Sequence, residues 1–412
     1  QSCAGDDQRR GAGYSDRFLA AANAMSNGKR KKRTDNPDLP PHRHVRSANA
    51  WARCVQRLQD EPRIAVDLEA NSMYAYQEQV CLIQISVPGQ DYIVDPLADF
   101  DLGEFGALIE DERVEKIFHA AEYDLILMKR EFGWQLRNLF DTMWAARILG
   151  YDRIGLANIL EDVYQVSLNK RYQRANWCKR PLSRAQLAYA QADTHYLLGL
   201  RDHFAEELEK AGRMVEAQEI FEEQSSVTLP DNSFDPDGFW SINGVHRLPA
   251  HSKAALQALY LYRDKEARRR DQPHFKILHD KTLLELAQKL PQQKEALQQV
   301  RGMSRGQINR YGDVILRIVR ETRDTQAPRR PRQPPRLPED VVGRYERLHA
   351  WRKERGQARG VESDVIVSRD ALWEIARLNP QTKEELAEVQ KVGPWRLKEY
   401  GDEILDVLAE GK

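Results

Sequence analysis

The spacing of apolar and polar residues changes along the chain, and each change predicts a different element. In ANAWARCVQRLQ, which begins at residue 48, the apolar residues recur at helical spacing. The next three segments, RIAVDLEA, VCLIQISV and DYIVDPL, are short, apolar and rich in β-branched residues, which indicates strands. The links between them are short and polar and include PGQD, so we expect an antiparallel meander.

Helices and one more strand follow the meander. DLGEFGALIEDERV predicts a helix, VEKIFHA a strand and EYDLILMKREFG a helix, and further helical stretches extend to about residue 212. Apolar faces on both kinds of element must be buried against each other. The first half of the chain is therefore predicted to be an α/β domain with a mixed sheet flanked by helices.

The second half of the chain has helical spacing throughout and contains an internal repeat. The run LPDNSFDPDGFW, rich in Pro, Asp, Asn and Gly, marks the boundary before it. Two similar units follow, each ending in a helix that contains YGD, which predicts two small all-α domains. QAPRRPRQPPRLP separates them and is typical of an extended spacer, although its four arginines could also contact phosphates. The predicted division is a tail at 1–48, an α/β domain at 49–226, a linker at 227–244, a helical domain at 245–325, a linker at 326–338 and a helical domain at 339–412.

The composition excludes two classes of protein. The 412 residues are 41% hydrophobic and 31% charged, as in globular proteins. No apolar run approaches the ~18 residues of a membrane helix, so we expect neither a membrane-spanning nor a fibrous protein. The four cysteines lie far apart, with no spacing typical of a zinc site or a disulfide framework, and this favours a reducing cytoplasm.

Charge is segregated although the net charge is zero. Residues 51–230 carry 19 basic and 30 acidic residues, whereas residues 245–325 carry 17 basic and 9 acidic residues. Residues 1–48 include GKRKKR and few large apolar residues, which predicts a disordered basic tail; a localisation signal is the less favoured alternative. An acidic body with basic flanks indicates a polyanionic partner.

The predicted strand RIAVDLEA carries Asp67 and Glu69 two positions apart. Residues i and i+2 of a strand point to the same face, so the two carboxylates project together. Adjacent carboxylates repel unless a cation lies between them, and hard cations such as Mg²⁺ prefer such ligands. Taken alone, the pair is more often a strand end that faces solvent.

Further polar residues interrupt apolar helices downstream. Asp124 stands among core-forming residues, His119 precedes it at a predicted strand end, and Tyr189 and Asp193 share one helical face. Each has a structural alternative: Asp124 as a charge at a helix N-terminus, and Tyr189 with Asp193 as a surface pair. Their joint order, D-x-E, then H-x-x-x-x-D, then Y-x-x-x-D, favours a functional constellation.

That order, together with LIQI, NLFDT and W-x-x-RPLS leading into YAQAD, resembles the DEDD-type 3′–5′ exonucleases of the tyrosine variant, and within them the ribonuclease D family. The resemblance extends from about residue 50 to the end, because the two helical units look like helicase-and-RNase-D C-terminal (HRDC) domains. It implies an RNase H-like mixed sheet flanked by helices, followed by two HRDC-like domains. It also implies that two divalent ions, Mg²⁺ or Mn²⁺, are held by Asp67, Glu69, Asp124 and Asp193, with Tyr189 near the attacking water.

Candidate nucleic-acid contacts are basic or aromatic. NKRYQRANWCKR mixes both kinds, which suits phosphate contact and base stacking on a single strand, although Trp177 could instead pack inward and, with Arg180, position the helix of Tyr189. ARRRDQPHFK in the first helical unit is a second basic cluster, with a solvated charge run as its alternative. The candidates are Gln84, His119, Arg171, Arg174, Trp177, Arg180, Arg268, Arg269, Arg270 and Lys276.

The leading hypothesis is a metal-dependent 3′–5′ exoribonuclease that releases nucleoside 5′-monophosphates. We expect a cytoplasmic monomer without organic cofactor or membrane contact, and the resemblance suggests transfer RNA precursors with a free 3′ end as substrates. A 3′–5′ exodeoxyribonuclease of DNA repair is an alternative, because the contact to the 2′-hydroxyl cannot be located from sequence. An RNA-binding scaffold without turnover is the alternative from another class.

Overall fold

The computed structural model describes residues 39–332 and 335–410. Its first half is built on a six-stranded sheet of order β1-β4-β3-β2-β5-β6. The strands β2, β3 and β4 are neighbours in the sheet and consecutive in the chain, as the apolar segments predicted. The strands are β1 (Arg43–Val45), β2 (Arg63–Ala70), β3 (Val80–Val87), β4 (Gln90–Val94), β5 (Glu115–Phe118) and β6 (Leu139–Asp141).

The sheet is mixed. Strands β3 and β4 pair antiparallel with Ile83 opposite Val94, whereas β1 is parallel to β4, β5 to β2 and β6 to β5. Every residue of β3 is buried, as expected of a central strand covered on both faces. The predicted α/β fold with a mixed sheet flanked by helices is confirmed.

Eight helices accompany the sheet in the described part of the first half. The first of them buries Trp51, Cys54, Val55 and Leu58 on one face and begins at the N-cap Ser47, whose hydroxyl accepts the Ala50 N–H. The helices are α1 (Ala48–Gln59), α2 (Gly103–Glu110), α3 (Glu122–Glu131), α4 (Thr142–Ile148), α5 (Leu156–Tyr164), α6 (Arg184–His195), α7 (Leu197–Lys210) and α8 (Met214–Ser225).

Strand β1 corrects the end of the predicted tail. The tail was predicted to reach residue 48, yet Arg43–Val45 pair with Tyr92–Val94, and Val45 is buried. Backbone pairing and burial of Val45 outweigh the polar composition that suggested disorder. Residues 1–38 of the predicted tail, which include GKRKKR, lie outside the described residues.

The second half contains the predicted repeat, because five helices occur twice in the same order. Each copy opens with a 21-residue helix that carries a buried arginine: Arg263 donates to the Leu278 carbonyl and Arg352 to the Val367 carbonyl, both at 3.0 Å. No helix in the described ranges is long and apolar enough to span a membrane. The first copy is α9 (Ala250–Arg270), α10 (His274–Ile277), α11 (Asp280–Lys289), α12 (Lys294–Leu297) and α13 (Arg305–Glu321); the second is α14 (Glu339–Arg359), α15 (Ser363–Ile366), α16 (Arg369–Leu378), α17 (Lys383–Ala387) and α18 (Pro394–Ala409).

The contacts divide the chain into two compact units that do not follow its order. Among the described residues, one unit combines 39–69, 80–229 and 336–410, so the second helical copy belongs with the sheet. The other combines residues 70–79 with residues 230–332 and residue 335. The predicted domain boundaries stay a prediction, and the two units are described separately below.

Helix α8 anchors the second helical copy through buried charges. Glu216 is fully buried and accepts two hydrogen bonds from Arg359, at 2.9 and 2.7 Å. Arg396, 1% exposed, donates to Glu223 at 2.8 Å and to the Ile366 carbonyl at 2.9 Å. The backbone N–H of Trp395 donates to Glu219 at 2.6 Å. These charge-assisted bonds fix the second helical copy against the sheet domain.

We expect Arg396→Ala to lower the free energy of unfolding by about 3–5 kcal/mol, because it leaves buried carboxylates without their cation. Denaturant unfolding of the full chain measures this change. Lys398→Ala, an exposed position two residues further on the same helix, is the matched control and should change stability by less than about 0.5 kcal/mol. Equal effects of the two substitutions would contradict the role of the buried ion pairs.

Residues 70–79 join the other unit through Tyr76. The Tyr76 hydroxyl donates to Asp264 at 2.6 Å, and its backbone N–H donates to Asp271 at 3.0 Å. The ring packs edge-on against His274, with centroids 5.4 Å apart, and lies under the Arg268 guanidinium. The link between β2 and β3 is therefore fixed by the first long helix of the repeat.

Candidate active site

The C-terminal end of strand β2 presents two carboxylates to one face. Asp67 and Glu69 are half-buried, whereas Leu68 between them points into the core, as strand alternation requires. Helix α6 brings Asp193 to the same place, and carboxylate oxygens of Asp67, Glu69 and Asp193 lie within 4.8 Å of one another. The structure thus brings together three of the four predicted carboxylates in one cluster.

Burial is the main reason why the carboxylates of this cluster hold their protons more tightly than usual, and repulsion between carboxylates adds to it at Glu69 and Asp193. Burial raises the pKa of Asp67 to about 7. Burial, and then repulsion by Asp67, Asp193 and Asp124, raises the pKa of Glu69 to about 10. The pKa of Asp193 is also raised, by burial and by Asp67. A cluster with this charge is stable in ionised form only with a compensating cation.

The donor set fits a hard divalent cation. Three carboxylate oxygens lie within reach of a single ion, and Mg²⁺ and Mn²⁺ prefer oxygen ligands of this kind. No ion pair to a basic side chain involves these three carboxylates within residues 39–332 and 335–410. Mutual repulsion without a basic neighbour is the expected state of ligands that a metal ion neutralises.

We expect the wild-type protein without divalent cations to lose stability between about pH 4 and pH 7, the range between the ordinary and the folded-state pKa of Asp67. The folded-state pKa of Asp67, about 7, lies above its ordinary value, so the folded state binds the proton more tightly and loses this advantage as the pH rises. Mg²⁺ or Mn²⁺ should restore stability at about pH 8, because the ion binds only the folded cluster. Thermal unfolding in chelator and in metal measures both effects.

The control for this prediction compares two substitutions. Asp67→Asn should reduce the pH-dependent loss and the response to metal. Glu209→Gln, an exposed carboxylate on α7, should leave both as in the wild type. The prediction fails if Asp67→Asn and the wild type show the same slope and the same response to metal.

Asp124 lies near the cluster but is not one of the three grouped ligands. It is buried in the first turn of α3, and burial followed by repulsion from Asp67, Asp141 and Asp193 raises its pKa well above the ordinary value. Asp141 holds the turn before α3, because its carboxylate accepts the N–H groups of Ala120 and Ala121 at 3.1 and 2.8 Å. It also caps α4. Asp141 therefore fixes the turn that leads into the helix of Asp124, a role that the motif NLFDT alone did not indicate.

A buried polar network fixes helix α6 on the sheet. Ser86 on β3 donates to Asp91 at 2.7 Å and is hydrogen-bonded to the Thr194 hydroxyl at 2.8 Å. Asp91 on β4 also accepts from Gln191 at 2.7 Å and pairs with His195 at 2.8 Å. Three residues that flank Asp193 are thereby tied to two strands, which sets the position of that carboxylate.

Tyr189 lies one turn before Asp193 on α6, and its ring contacts two aromatic residues. The Trp177 ring is tilted against it with centroids 5.8 Å apart, and the Tyr172 ring meets it edge-on at 6.0 Å. Burial, and then the charges of Asp193, Glu69 and Asp67, raises the pKa of Tyr189. Its hydroxyl therefore keeps its proton at neutral pH.

The segment before α6 is attached to the sheet by two links. Arg180 donates to both carboxylate oxygens of Asp95, at 2.6 and 2.7 Å, and to the carbonyls of Cys81 and Trp177, at 2.6 and 2.5 Å. A disulfide joins Cys178 to Cys81 on β3. The wide spacing of the cysteines gave no sign of this bond, because the fold brings together residues 97 positions apart in sequence.

These links change the interpretation of Trp177 and Arg180. Trp177 is 1% exposed, and its ring packs in a core with Leu82 and Ala190. Arg180 uses its guanidinium on Asp95 and two carbonyls. Neither placement leaves a side chain free to contact RNA, so the structure favours the positioning alternative over base stacking and phosphate contact.

The other predicted contacts of this domain occupy different environments. Gln84 is fully buried on β3, and its amide atoms have no hydrogen-bond partner among the described residues. His119 is half-buried beside Thr142, 3.0 Å away, and burial lowers the pKa of its ring, which is therefore neutral at pH 7. Arg171 and Arg174 are exposed. Contact of these four residues with nucleic acid stays a prediction.

The basic cluster of the first helical copy is paired within its own unit. Arg268 bonds Asp264 at 2.9 Å, and Arg269 and Arg270 bond Glu266. The Lys276 ammonium lies 4.0 Å from the centre of the Tyr74 ring. Pairing lowers the local field, so the charge count of the segment overstates its attraction for phosphates.

Two families match the chain. The 3′–5′ exonuclease family matches residues 43–209, which include every carboxylate of the cluster. The HRDC domain family matches twice, at residues 252–319 and 342–408. The second match agrees with the helical repeat described above.

Curated proteins of two kinds are similar to the chain. Ribonuclease D of Gluconacetobacter diazotrophicus is 32% identical over 66% of this chain and 70% of its own length. Ribonuclease D of Acidiphilium cryptum is 29% identical over 90% of this chain and 94% of its own length. Human exosome complex component 10 is 30% identical over 62% of this chain but only 30% of its own length.

Solved structures share the fold. Escherichia coli RNase D, described as an exoribonuclease involved in structured RNA processing, superposes with a TM-score of 0.61 at 22% identity, over 90% of this chain and all of that one. The catalytic core of RRP6 from Trypanosoma brucei superposes with a TM-score of 0.63 at 28% identity, over 75% of this chain and 89% of that one.

Proposed function

The chain belongs to the ribonuclease D family of 3′–5′ exoribonucleases, and on that premise we propose that its acidic cluster removes nucleoside 5′-monophosphates from the 3′ end of RNA with two divalent metal ions. One observation carries the proposal: the oxygens of Asp67, Glu69 and Asp193 lie within 4.8 Å of one another, with raised pKa values. Such a cluster serves metal-assisted hydrolysis of phosphodiesters.

The carboxylates divide between two ion positions in this proposal. Asp67, Glu69 and Asp193 would hold one ion, and Asp67 with Asp124 would hold the other, directly or through water. When bound, the two divalent ions would make the attacking water more acidic and stabilise the charge on the leaving 3′-oxygen. The rigid strand β2 and the fixed helix α6 keep the ligands in place.

Tyr189 acts on the attacking water in this proposal. Its ring is held between Trp177 and Tyr172, which fixes the position of the hydroxyl. A hydroxyl in a fixed position orients a water molecule by hydrogen bonding. The pH dependence of Tyr189→Phe distinguishes this role from deprotonation of the water.

We further propose the finer points of the sequence analysis. Precursors of transfer RNA with a free 3′ end are the proposed substrates, and structured RNA processing by the E. coli protein of the same fold supports that class. Arg171 and Arg174 are the proposed phosphate contacts near the site, because both are exposed on the segment that precedes α6. The protein is proposed to act as a cytoplasmic monomer.

The decisive experiment sequences the 3′ ends of a structured RNA before and after incubation with wild-type protein and Asp193→Asn in Mg²⁺ or Mn²⁺. We expect stepwise shortening from the 3′ end, mononucleotide products and no shortening by the variant. A matched DNA oligonucleotide, digested in parallel, tests the deoxyribonuclease alternative. Equal rates of digestion of the RNA and the DNA substrate, internal cleavage, or RNA binding without turnover would each contradict the proposal.

A further inference from the structure

The aromatic contacts of Tyr189 come from a segment that is itself attached at two points. Residues 172–181 supply Tyr172 and Trp177 to the Tyr189 ring. The half-buried Cys178 is bonded to Cys81, a fully buried residue of the central strand β3. We call residues 172–181 the clamp segment.

The second attachment lies two residues after the disulfide. Arg180 forms a bidentate ion pair with Asp95, which is 6% exposed, and donates to the carbonyls of Cys81 and Trp177. The Arg180 guanidinium thus joins Trp177, which precedes Cys178, to Cys81, the disulfide partner of Cys178. Both attachments involve Cys81 on β3, and the Arg180 guanidinium also bonds the Trp177 carbonyl.

We propose that the Cys81–Cys178 disulfide and the Arg180–Asp95 ion pair position Tyr189 for catalysis, and that reduction of the disulfide therefore slows turnover without weakening RNA binding. The proposal rests on the function proposed for Tyr189 above. Arg180, Asp95 and the two cysteines are positioning residues, because they act on the reaction through the Trp177 and Tyr189 rings.

A dithiol reductant can carry out the redox step. Its thiolate attacks the Cys178 sulfur, because Cys81 is fully buried, and the resulting mixed disulfide is resolved by the second thiol of the reductant. The Cys81–Cys178 bond breaks, both cysteines become thiols, and the reductant becomes a disulfide. With the bond open, Arg180 alone holds the clamp segment, and the Tyr189 hydroxyl occupies its position less often.

The experiment measures kcat and KM on a 3′-labelled RNA for oxidised protein, for protein reduced by a dithiol, and for reoxidised protein. Alkylation and intact mass report the state of the bond in each sample. We expect reduction to lower kcat by about fivefold or more with KM unchanged, and reoxidation to restore it, because small displacements of a reacting group cost large factors in rate.

Three variants complete the design. Cys178→Ser should have the kcat of the dithiol-reduced wild-type protein, and the reductant should not change this kcat. Arg180→Lys, which keeps the charge but cannot make the bidentate pair, should lower kcat and make the effect of reduction larger. Cys54→Ser is the matched control: Cys54 is a buried free cysteine of α1, and its removal should leave the redox response unchanged.

The outcomes separate this inference from the proposed function. If intact mass shows that the disulfide is open in the reduced protein and turnover still equals that of the oxidised protein, this inference is wrong, whereas the proposed function stands. Protein purified under oxidising conditions with all four cysteines alkylatable would also overturn it. Absence of turnover in every state would instead refute the proposed function. If reduction lowers thermal stability and also changes KM, the disulfide stabilises the fold in general rather than positioning Tyr189.

Discussion

Asp193→Asn should abolish metal-dependent hydrolysis, with a loss in kcat of about 10³-fold or more, because several kcal/mol of transition-state stabilisation depend on the cation that this carboxylate binds. The substitution keeps the shape of the side chain and removes its charge. The contacts that fix α6 are untouched, since Ser86 and Asp91 bond Gln191, Thr194 and His195 on either side of Asp193. We therefore expect a folded protein that still binds RNA.

Three measurements test this expectation. Release of mononucleotides from 3′-labelled RNA gives kcat, a filter-binding assay gives RNA affinity, and thermal unfolding without metal gives stability. Removal of the Asp193 charge should leave the metal-free stability equal or higher, because Asp193 is buried and is repelled by Asp67. Glu209→Gln, on the following helix, should retain wild-type turnover. Residual metal-dependent activity within tenfold of wild type would rule out Asp193 as a ligand.

The sequence predicted the carboxylate cluster because its members are encoded by local patterns. Strand alternation alone places Asp67 and Glu69 on one face, and helical spacing places Tyr189 one turn before Asp193. The joining of strand and helix required the resemblance to a known family, since no local pattern states which elements meet. Asp124 shows the limit of that argument, because it affects the cluster electrostatically without joining the group of three.

The features that the sequence did not reveal depend on contacts between distant segments. Cys81 and Cys178 become partners only because β3 and the clamp segment meet, and their spacing carries no sign of it. The basic segment around Arg180 suggests a phosphate contact, but Asp95, 85 residues earlier, accepts two of the hydrogen bonds that Arg180 donates. A charge count cannot distinguish a paired arginine from a free one.

Backbone pairing explains the remaining differences. Arg43–Val45 are polar enough to suggest a tail, yet the edge of β4 offers them a strand partner. Residues 70–79 read as a simple link between strands, but the Tyr76 hydroxyl and backbone bind Asp264 and Asp271. Both cases involve partners more than 40 residues away, beyond the reach of periodicity.

Tyr189→Phe should lower kcat by about 10²-fold or more with little change in KM, because it removes only the hydroxyl that orients the attacking water. The aromatic ring stays between Trp177 and Tyr172, so packing and the position of α6 are preserved. The measurement is kcat and KM on 3′-labelled RNA at saturating Mg²⁺, with thermal unfolding to confirm that stability is unchanged.

The pH dependence of this variant decides between two roles for the hydroxyl. If Tyr189 orients water as a protonated group, loss of the hydroxyl lowers kcat by the same factor at every pH, because no ionisation of Tyr189 occurs in the range tested. If the hydroxyl acted as a base, the rising limb of the wild-type profile would disappear in Tyr189→Phe. Tyr164→Phe, at a half-buried tyrosine whose ring lies against Tyr196, is the matched control and should keep the wild-type kcat and profile. Equal kcat in Tyr189→Phe and Tyr164→Phe would show that the Tyr189 hydroxyl has no part in the reaction.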